Sequence, residues 1–332
     1  MLMKSYGIRM RLNMCGNWQD FKEEINKELN IIRKGQLNTC NIREKIIYDT
    51  SVTYITFDNL EQTGIIRQGF STRLGGVSEG EFASMNLSFA RNDDPQAVME
   101  NYRRFTAIMD RTPDDVVASH QTHTTNVRRV SSADKGKGVT REKDYSDIDG
   151  LITDESGVLL ACFFADCVPL YFVDPVHHAI GLAHSGWRGT VGRMGQKLID
   201  SMSHAFGTRP EAVQAAIGPS ICQSCYEVSE EVAVAFAKQF TPGRKLAVEY
   251  LQRYQQEITE TDIANCLLQD KGDGKYQLDL WYANYCVMRE AGIPAEQIAV
   301  TDICTCCNPQ FLFSHRASHG RRGNLGAFLM LK

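Results

Sequence analysis

The pattern of apolar residues predicts a group of buried strands at the centre of the chain, within residues 158–190. The run VLLACFF at 158–164 is short, rich in Phe and Val and close to Pro169, so it predicts a strand rather than a helix. The segment LYFV after Pro169 and the segment at 179–183 predict two further strands, with an Asp-Pro turn between them.

Two of these apolar runs end on side chains that can bind a metal or act in catalysis. Cys167 follows Asp166 at the end of the first run, and His184 ends the last run, just before Ser-Gly-Trp-Arg-Gly. Strand ends are rigid supports that can lie side by side, as a catalytic metal or a Cys-His nucleophile requires. We therefore expect Cys167 and His184 to belong to one site.

The rest of the chain shows both strand and helix patterns. Strand patterns occur from residue 52, at 116–130, at 214–217 and on both sides of a basic, Gly-rich loop near the end of the chain. Helical spacing and capping residues predict helices at 92–104, 190–206, 229–240 and 278–291.

Residues 1–50 look separate from the rest and are predicted to be a partly helical N-terminal extension. The segment WQDFKEEINKELNIIRK at 18–34 places apolar residues at nearly helical spacing with charges between them, which predicts an amphipathic helix. Because this segment carries no position-specific chemistry, we expect it to pack on the core or to mediate self-contact. The core of the protein is expected to lie within residues 51–332.

The composition excludes several classes of protein. A chain of 332 residues with 43% hydrophobic content can bury a large core. A formal charge of −4 without a long basic run argues against nucleic acid as a partner. No apolar run approaches the roughly 20 residues that span a bilayer, and no signal peptide is evident, so we expect a cytoplasmic protein without a membrane partner. The 11 cysteines form no regular framework, which favours reduced thiols.

Two further segments contain candidate binding residues. The polar HQTH insert between valine-rich ends contains His120 and His123, and spacing alone does not decide which of them is a third ligand. Arg73 lies beside Gly75 and Gly76, where its guanidinium and exposed backbone N–H groups could bind an anion. A hairpin turn with a solvated arginine is the alternative.

The remaining cysteines suggest a second site without defining one. Cys222 and Cys225 form a Cys-x-x-Cys unit, and Cys304, Cys306 and Cys307 could complete a four-sulfur set. With Cys306 counted, the second group does not show the Cys-x-x-Cys spacing. Buried, inert thiols are therefore the favoured interpretation, and a second metal site is the alternative.

Several motifs occur together in one order: STRLGGVS, NDDP, QTH, DIDGLIT, ADCVPL, AHSGWRGT, GPSICQSCYEV, CTCCNPQFLFSHR and RRGNLG. Together they resemble the multicopper polyphenol oxidoreductase (laccase) family, whose members are also described as zinc-dependent purine nucleoside phosphorylases. The resemblance covers about residues 52–332. It implies a single α+β domain, a mixed β-sandwich flanked by helices, similar to the catalytic domain of cytotoxic necrotizing toxins.

The resemblance also implies the metal ligands and the reactions. The family's ligands fall on His123, Cys167 and His184, which leave a fourth position open. Zinc is preferred over copper, because a blue-copper centre usually adds an axial Met ligand and this sequence offers no obvious Met nearby. The implied activities are phosphorolysis of adenosine, inosine, guanosine and methylthioadenosine, and deamination of adenosine. The expected partners are therefore purine nucleosides and phosphate, and a monomer is favoured.

Roles for the other candidate residues follow from these reactions. Deamination needs a hydroxide at neutral pH, which zinc supplies by lowering the pKa of water to about 7. Asp166, adjacent to Cys167, is the candidate proton carrier. Phosphorolysis needs a positioned phosphate, for which Arg73, Arg188 and Arg316 are the candidates.

Three alternatives remain open. One is a copper-dependent polyphenol oxidase. Another is a thiol hydrolase with a peptidoglycan-editing role, in which Cys167 attacks as a thiolate and His123 or His184 is its base. The third is a zinc-binding interaction module without activity, although a structural zinc site normally has four protein ligands.

Overall fold

The computed structural model describes residues 30–35, 39–241 and 243–332. Its main compact unit begins at Ile32. Residues 18–29 of the helix predicted at 18–34 lie outside the described residues. Its last residues, 32–34, are not helical, and Arg33 instead forms an isolated bridge with Ile303.

The described chain contains both strands and α-helices, in runs of either kind. The strands are β1 (Asn41–Ile47), β2 (Thr50–Thr56), β3 (Ile66–Ser71), β4 (Val116–Ala118), β5 (Val127–Arg129), β6 (Gly150–Thr153), β7 (Leu159–Phe164), β8 (Val168–Asp174), β9 (Ala179–Ser185), β10 (Gln214–Ile217), β11 (Glu227–Ser229), β12 (Leu268–Gly272), β13 (Lys275–Leu278), β14 (Ile298–Val300) and β15 (Leu325–Leu331). The α-helices are α1 (Asp58–Glu61), α2 (Pro95–Ile108), α3 (Trp187–Val191), α4 (Met194–Phe206), α5 (Glu230–Gln239), α6 (Arg244–Leu251), α7 (Glu260–Ala264) and α8 (Leu280–Glu290).

Two six-stranded mixed sheets form the centre of the molecule. The first has the order β1-β2-β3-β15-β7-β4 and the second the order β14-β10-β8-β9-β6-β5, while β11-β13-β12 form a small third sheet. The two large sheets contact each other through side chains: the Tyr171 hydroxyl donates to the Gly69 carbonyl oxygen at 3.5 Å, and the Tyr171 and Phe57 rings lie 5.7 Å apart. The predicted α+β class is confirmed; the similarity to the toxin domain stays a prediction.

The strands nearest the site carry continuous apolar sequences because both of their faces are covered. Every residue of β8, β9 and β15 is buried. β15 lies between β3 and β7, so the C-terminal segment completes the middle of the first sheet. The strands predicted at 158–164, 179–183 and 214–217 are confirmed within one or two residues.

Helix starts follow their capping residues. The Asp94 side chain accepts from the Gln96 N–H at 2.9 Å and precedes Pro95, which confirms the predicted start of α2; the helix continues past residue 104 to Ile108. The helix predicted at 190–206 is divided into α3 and α4, because Arg193 adopts a left-handed conformation with φ of 62°. No helix in the described part of the chain is long and apolar enough to cross a membrane.

Three sequence predictions differ from the structure. The domain does not begin at residue 51, because β1 pairs along its whole length with β2. The segment at 116–130 is not one strand: β4 belongs to the first sheet and β5 to the second, and the HQTHTTN insert is the loop between them. The FLF segment at 311–313 is not a strand.

Candidate metal centre

Three side chains from separate segments meet at one edge of the second sheet. Donor atoms of His123, Cys167 and His184 all lie within 4.8 Å of one another. Cys167 lies between β7 and β8, and His184 lies in β9 opposite Pro169 of the antiparallel strand β8. The expectation that two strand ends bring Cys167 and His184 together is confirmed. We call this group the His2Cys centre.

His123 is held in an uncommon backbone conformation. Its φ is 65°, in the left-handed region that a residue other than glycine occupies only when its surroundings stabilise it. The Asp149 carboxylate supplies that support by accepting hydrogen bonds from the backbone N–H groups of Thr122, His123 and Thr124 at 3.1, 3.2 and 2.9 Å. Asp149 therefore shapes the loop that presents His123.

The same carboxylate orients His184. Nδ1 of His184 lies 2.8 Å from Oδ1 of Asp149 and, since an ionised carboxylate only accepts, Nδ1 carries the proton. The other ring nitrogen is then directed to Cys167. Burial disfavours the charged imidazole, but Cys167 and Asp149 together raise the pKa of His184 to about 9. Burial alone would raise the pKa of Asp149, yet His184 and the loop N–H groups lower it.

His120 does not reach this group. Its Nδ1 accepts from the Asp147 N–H at 3.2 Å, and its backbone pairs with that of Ile148. The choice between the two histidines, open in the sequence, is therefore decided for His123 by the fold.

Gly186 lies directly against two of the donors. A Cβ at this position would be 2.9 Å from His123 Nδ1, closer than real Cβ atoms approach their neighbours, and 3.0 Å from Cys167 Sγ, a tight contact. A larger residue would therefore require His123 to shift.

Asp166 has a supporting position beside the centre. It is buried, with a φ of 88°. Its Oδ1 accepts from the Thr305 hydroxyl at 2.6 Å, and its Oδ2 accepts from the Arg316 N–H at 2.7 Å. These bonds hold Asp166 as a positioning residue; its role as a proton carrier stays a prediction.

The three predicted anion-binding arginines differ in their contacts. Arg73 donates to the Ala83 and Pro309 carbonyl oxygens at 2.8 and 2.7 Å, and Arg316 donates to the Cys225 and Glu227 carbonyl oxygens at 3.2 and 2.8 Å.

Arg188 is exposed and stacks on Trp187 at 4.2 Å, and its charge acts on His123. Its guanidinium makes no hydrogen bond within the described residues. Of the three predicted arginines, Arg188 is thus the one whose whole guanidinium lacks a hydrogen-bond partner among the described residues.

The sequence interpretation missed Arg322, Asp149 and Gly186. Arg322 lies near Asp166 and Cys167, and its partial burial together with Arg91 lowers its pKa to about 10. The signals for these residues were present in the motifs RRGNLG, DIDGLIT and HSGWRG, but no local pattern shows that they meet at the ligands.

The structure also brings together Cys222, Cys225, Cys304 and Cys307. Of the three cysteines at 304–307 that the sequence left open, Cys304 and Cys307 belong to this group and Cys306 does not. We call this group the four-cysteine cluster.

An open set of two imidazoles and one thiolate at rigid strand ends is the arrangement of a catalytic metal centre, since it leaves a coordination position for a substrate. The fold and the site thus define an α+β protein with a group of two histidines and one cysteine that could hold a metal ion.

The chain belongs to the family whose model is described as multi-copper polyphenol oxidoreductase laccase, which matches residues 67–332. The purine nucleoside phosphorylase YlmD of Bacillus subtilis is 33% identical over 265 residues, covering 80% of this chain and 88% of the relative. An adenosine deaminase, RL5, from an unknown prokaryotic organism is 30% identical over 251 residues, covering 75% of this chain and 88% of the relative. The crystal structure of YlmD from Geobacillus stearothermophilus superposes with a TM-score of 0.73 at 30% identity, covering 91% of this chain and 99% of that chain. The predicted family membership is confirmed.

Proposed function

We propose that this chain is a zinc-dependent purine nucleoside phosphorylase that cleaves adenosine, inosine, guanosine and methylthioadenosine and also deaminates adenosine. The observation that carries the proposal is the His2Cys centre, with two donors positioned by one buried carboxylate. The names of the relatives supply the reaction classes.

The donor set fits zinc. His123, Cys167 and His184 offer two borderline nitrogens and one thiolate, and no fourth His, Cys, Asp or Glu joins them among the described residues. These three residues would hold the ion, which would supply Lewis-acid chemistry at neutral pH. Copper accepts similar donors, and the copper-dependent phenol oxidase named by the family model is the metal-dependent alternative.

The protein's own groups prepare the site for an anionic co-substrate. Arg188 has free guanidinium donors beside His123, and Arg322 lies near Cys167. Two positive charges at one centre favour phosphate over water as the second substrate, because a guanidinium binds phosphate through paired N–H groups. Arg73 and Arg316 donate to backbone carbonyl oxygens, so their contribution to phosphate binding is through the loops they hold.

One observation favours a second candidate function. Cys167, His184 and Asp149 form a continuous series in which the carboxylate orients the imidazole and the imidazole faces the thiol. This is the arrangement of a nucleophile, its base and an orienting acid, so a thiol hydrolase is the alternative. Such an enzyme would act without a metal, whereas the phosphorylase would lose activity on chelation.

The decisive experiment measures inosine cleavage with and without phosphate. We expect ribose 1-phosphate to form only when phosphate is present. Arg188→Lys keeps the charge but loses the planar fork. Phosphorolysis should fall about tenfold, the range expected for a hydrogen bond to a charged group at ~1.5 kcal/mol, while zinc content stays unchanged.

Arg129→Lys is a matched control, because Arg129 is also exposed and stacks on an aromatic ring, that of Phe206, at 4.8 Å. It should leave both reactions unchanged. Adenosine deamination should change little in Arg188→Lys, since it uses water. Equal loss of both reactions, or cleavage of inosine that is independent of phosphate, would contradict the phosphate role of Arg188.

A further inference from the structure

The four-cysteine cluster lies beside the His2Cys centre but outside it. Cys222 and Cys225 follow β10, and Cys304 and Cys307 follow β14. β10 and β14 are parallel neighbours, so their carboxyl ends bring both loops to the same edge of the sheet. All four sulfur atoms lie within 4.8 Å of one another.

The spacing of these cysteines is more regular than the sequence interpretation held. Cys304 and Cys307 are themselves a Cys-x-x-Cys pair, and Cys306 lies inside it. Cys306 contacts Cys225 and Ser314 and lies near the charge of Asp166, but its sulfur is not among the four that all lie within 4.8 Å of one another. Once Cys306 is set aside, the chain contains two Cys-x-x-Cys units, which is the typical spacing of a structural zinc site.

The separations between the sulfur atoms suit one tetrahedral ion. Cys307 Sγ lies 3.4 Å from Cys225 Sγ and 4.0 Å from Cys222 Sγ. With zinc–sulfur bonds of 2.3 Å, the edge of a sulfur tetrahedron is about 3.8 Å. Four thiols could therefore bind a single ion with small movements.

Backbone N–H groups point at one of the four sulfur atoms. The N–H groups of Cys222 and Cys307 point at Cys304 Sγ, at 3.2 and 3.4 Å, and donate to it. Such donors orient and stabilise a thiolate ligand.

A cation stands next to the cluster. Lys34 Nζ lies 3.4 Å from Ser224 Oγ, within the loop between Cys222 and Cys225. Four thiolates around Zn²⁺ leave a net negative charge, which a lysine at this position would offset.

We propose that Cys222, Cys225, Cys304 and Cys307 bind a structural zinc ion as four thiolates. Four protein ligands leave no position for a substrate, so the ion holds the loops after β10 and β14 together. Binding releases the protons that the thiols carry.

This second ion would support the wall of the His2Cys centre. The Cys225 carbonyl oxygen accepts from Arg316, whose backbone N–H holds Asp166. Thr305, next to Cys304, donates to the same carboxylate. Both loops of the four-cysteine cluster are therefore linked to the Asp166 carboxylate, one through Arg316 and the other through Thr305.

The test is metal analysis of protein expressed with zinc and dialysed under reducing conditions. We expect two zinc ions per chain in the unaltered protein. Cys167→Ala and the double variant Cys225→Ser/Cys307→Ser should each retain one. If the unaltered protein binds one zinc that is lost in Cys167→Ala, the proposal is overturned. If one zinc is bound and persists in Cys167→Ala, the four-cysteine site stands and the zinc-dependent function fails.

Cys306→Ser is the matched control, because it removes a thiol from the same loop but outside the proposed ligands. It should keep two ions; loss of one would transfer the ligand role to Cys306 and overturn the assignment of Cys307. X-ray absorption on zinc-loaded Cys167→Ala provides a measurement that does not depend on the folding of a ligand variant. It should show four sulfur neighbours at about 2.3 Å. Nitrogen or oxygen neighbours, or bound iron in place of zinc, would refute the zinc tetrathiolate.

Discussion

The His2Cys centre and the four-cysteine cluster lie at the same end of one sheet, whose order is β14-β10-β8-β9 over this part, because the end of β10 pairs with the start of β8. The centre has three donors of two kinds, one of them on the exposed His123. The cluster has four donors of one kind, and Cys222 and Cys304 are buried.

The two groups have different numbers of protein donors, and this difference separates their roles. Three donors leave room for a reacting molecule, whereas four thiolates complete a tetrahedron. The supports differ as well: the Asp149 carboxylate orients the imidazole of His184, while two backbone N–H groups point at the Cys304 sulfur of the cluster. Losing a donor should therefore change turnover in the first region and stability in the second.

The largest expected effect comes from removing a ligand in each region. Cys167→Ala should reduce nucleoside turnover to background with little change in the free energy of unfolding. Cys225→Ser/Cys307→Ser should retain most of the turnover and be less stable by about 4 kcal/mol, the contribution of a ligand present at 1,000 times its dissociation constant. Turnover assays and denaturant unfolding measure the two effects. If both variants fold and lose turnover equally, the two regions do not have separate roles.

A smaller effect is expected from the support of the centre. Asp149→Asn removes the charge that orients His184 and holds the His123 loop, so zinc affinity should fall by about 10- to 100-fold. Competition with a chelator of known affinity measures this change.

The chain contains a matched control for Asp149. Asp174 is also fully buried, and its Oδ2 lies 2.8 Å from His177 Nδ1. Asp174→Asn should therefore destabilise the fold without changing zinc affinity. An unchanged affinity in Asp149→Asn would refute the orienting role of Asp149.

The smallest effect is expected at Gly186. Gly186→Ala places a methyl group against His123 and Cys167, at a cost of about 1–3 kcal/mol typical of overpacking. This should appear as weaker zinc binding, since the donors must move. At Gly189 a Cβ would meet its nearest atoms at 3.6 Å, an ordinary contact, so Gly189→Ala should bind zinc normally. Similar affinities for the two variants would show that the donors do not need their present positions.

Local patterns predicted a large part of the central fold. The strands around Cys167 and His184 were recognised because buried strands are short apolar runs bounded by turn residues, which a sequence displays directly. The start of α2 was recognised because Asp94 and Pro95 act on the first helical turn alone.

The missed features depend on contacts between distant segments. The β-branched residues at 116–130 favour an extended chain, but the loop within them is stabilised by Asp149, which lies in another strand connection. β1 was placed in the N-terminal extension, because its strand character becomes evident only from its pairing with β2.

The sequence by itself determined the residue types of the chemistry: two histidines, a cysteine at a strand end and a set of further thiols. The tertiary structure decided that His123 rather than His120 faces Cys167, that Asp149 supports both histidines and that Cys307 rather than Cys306 joins the cluster. The physical reason is that side-chain identity and strand propensity are local properties. The distance between two donors, in contrast, is set by the pairing of strands far apart in the chain, which no short pattern records.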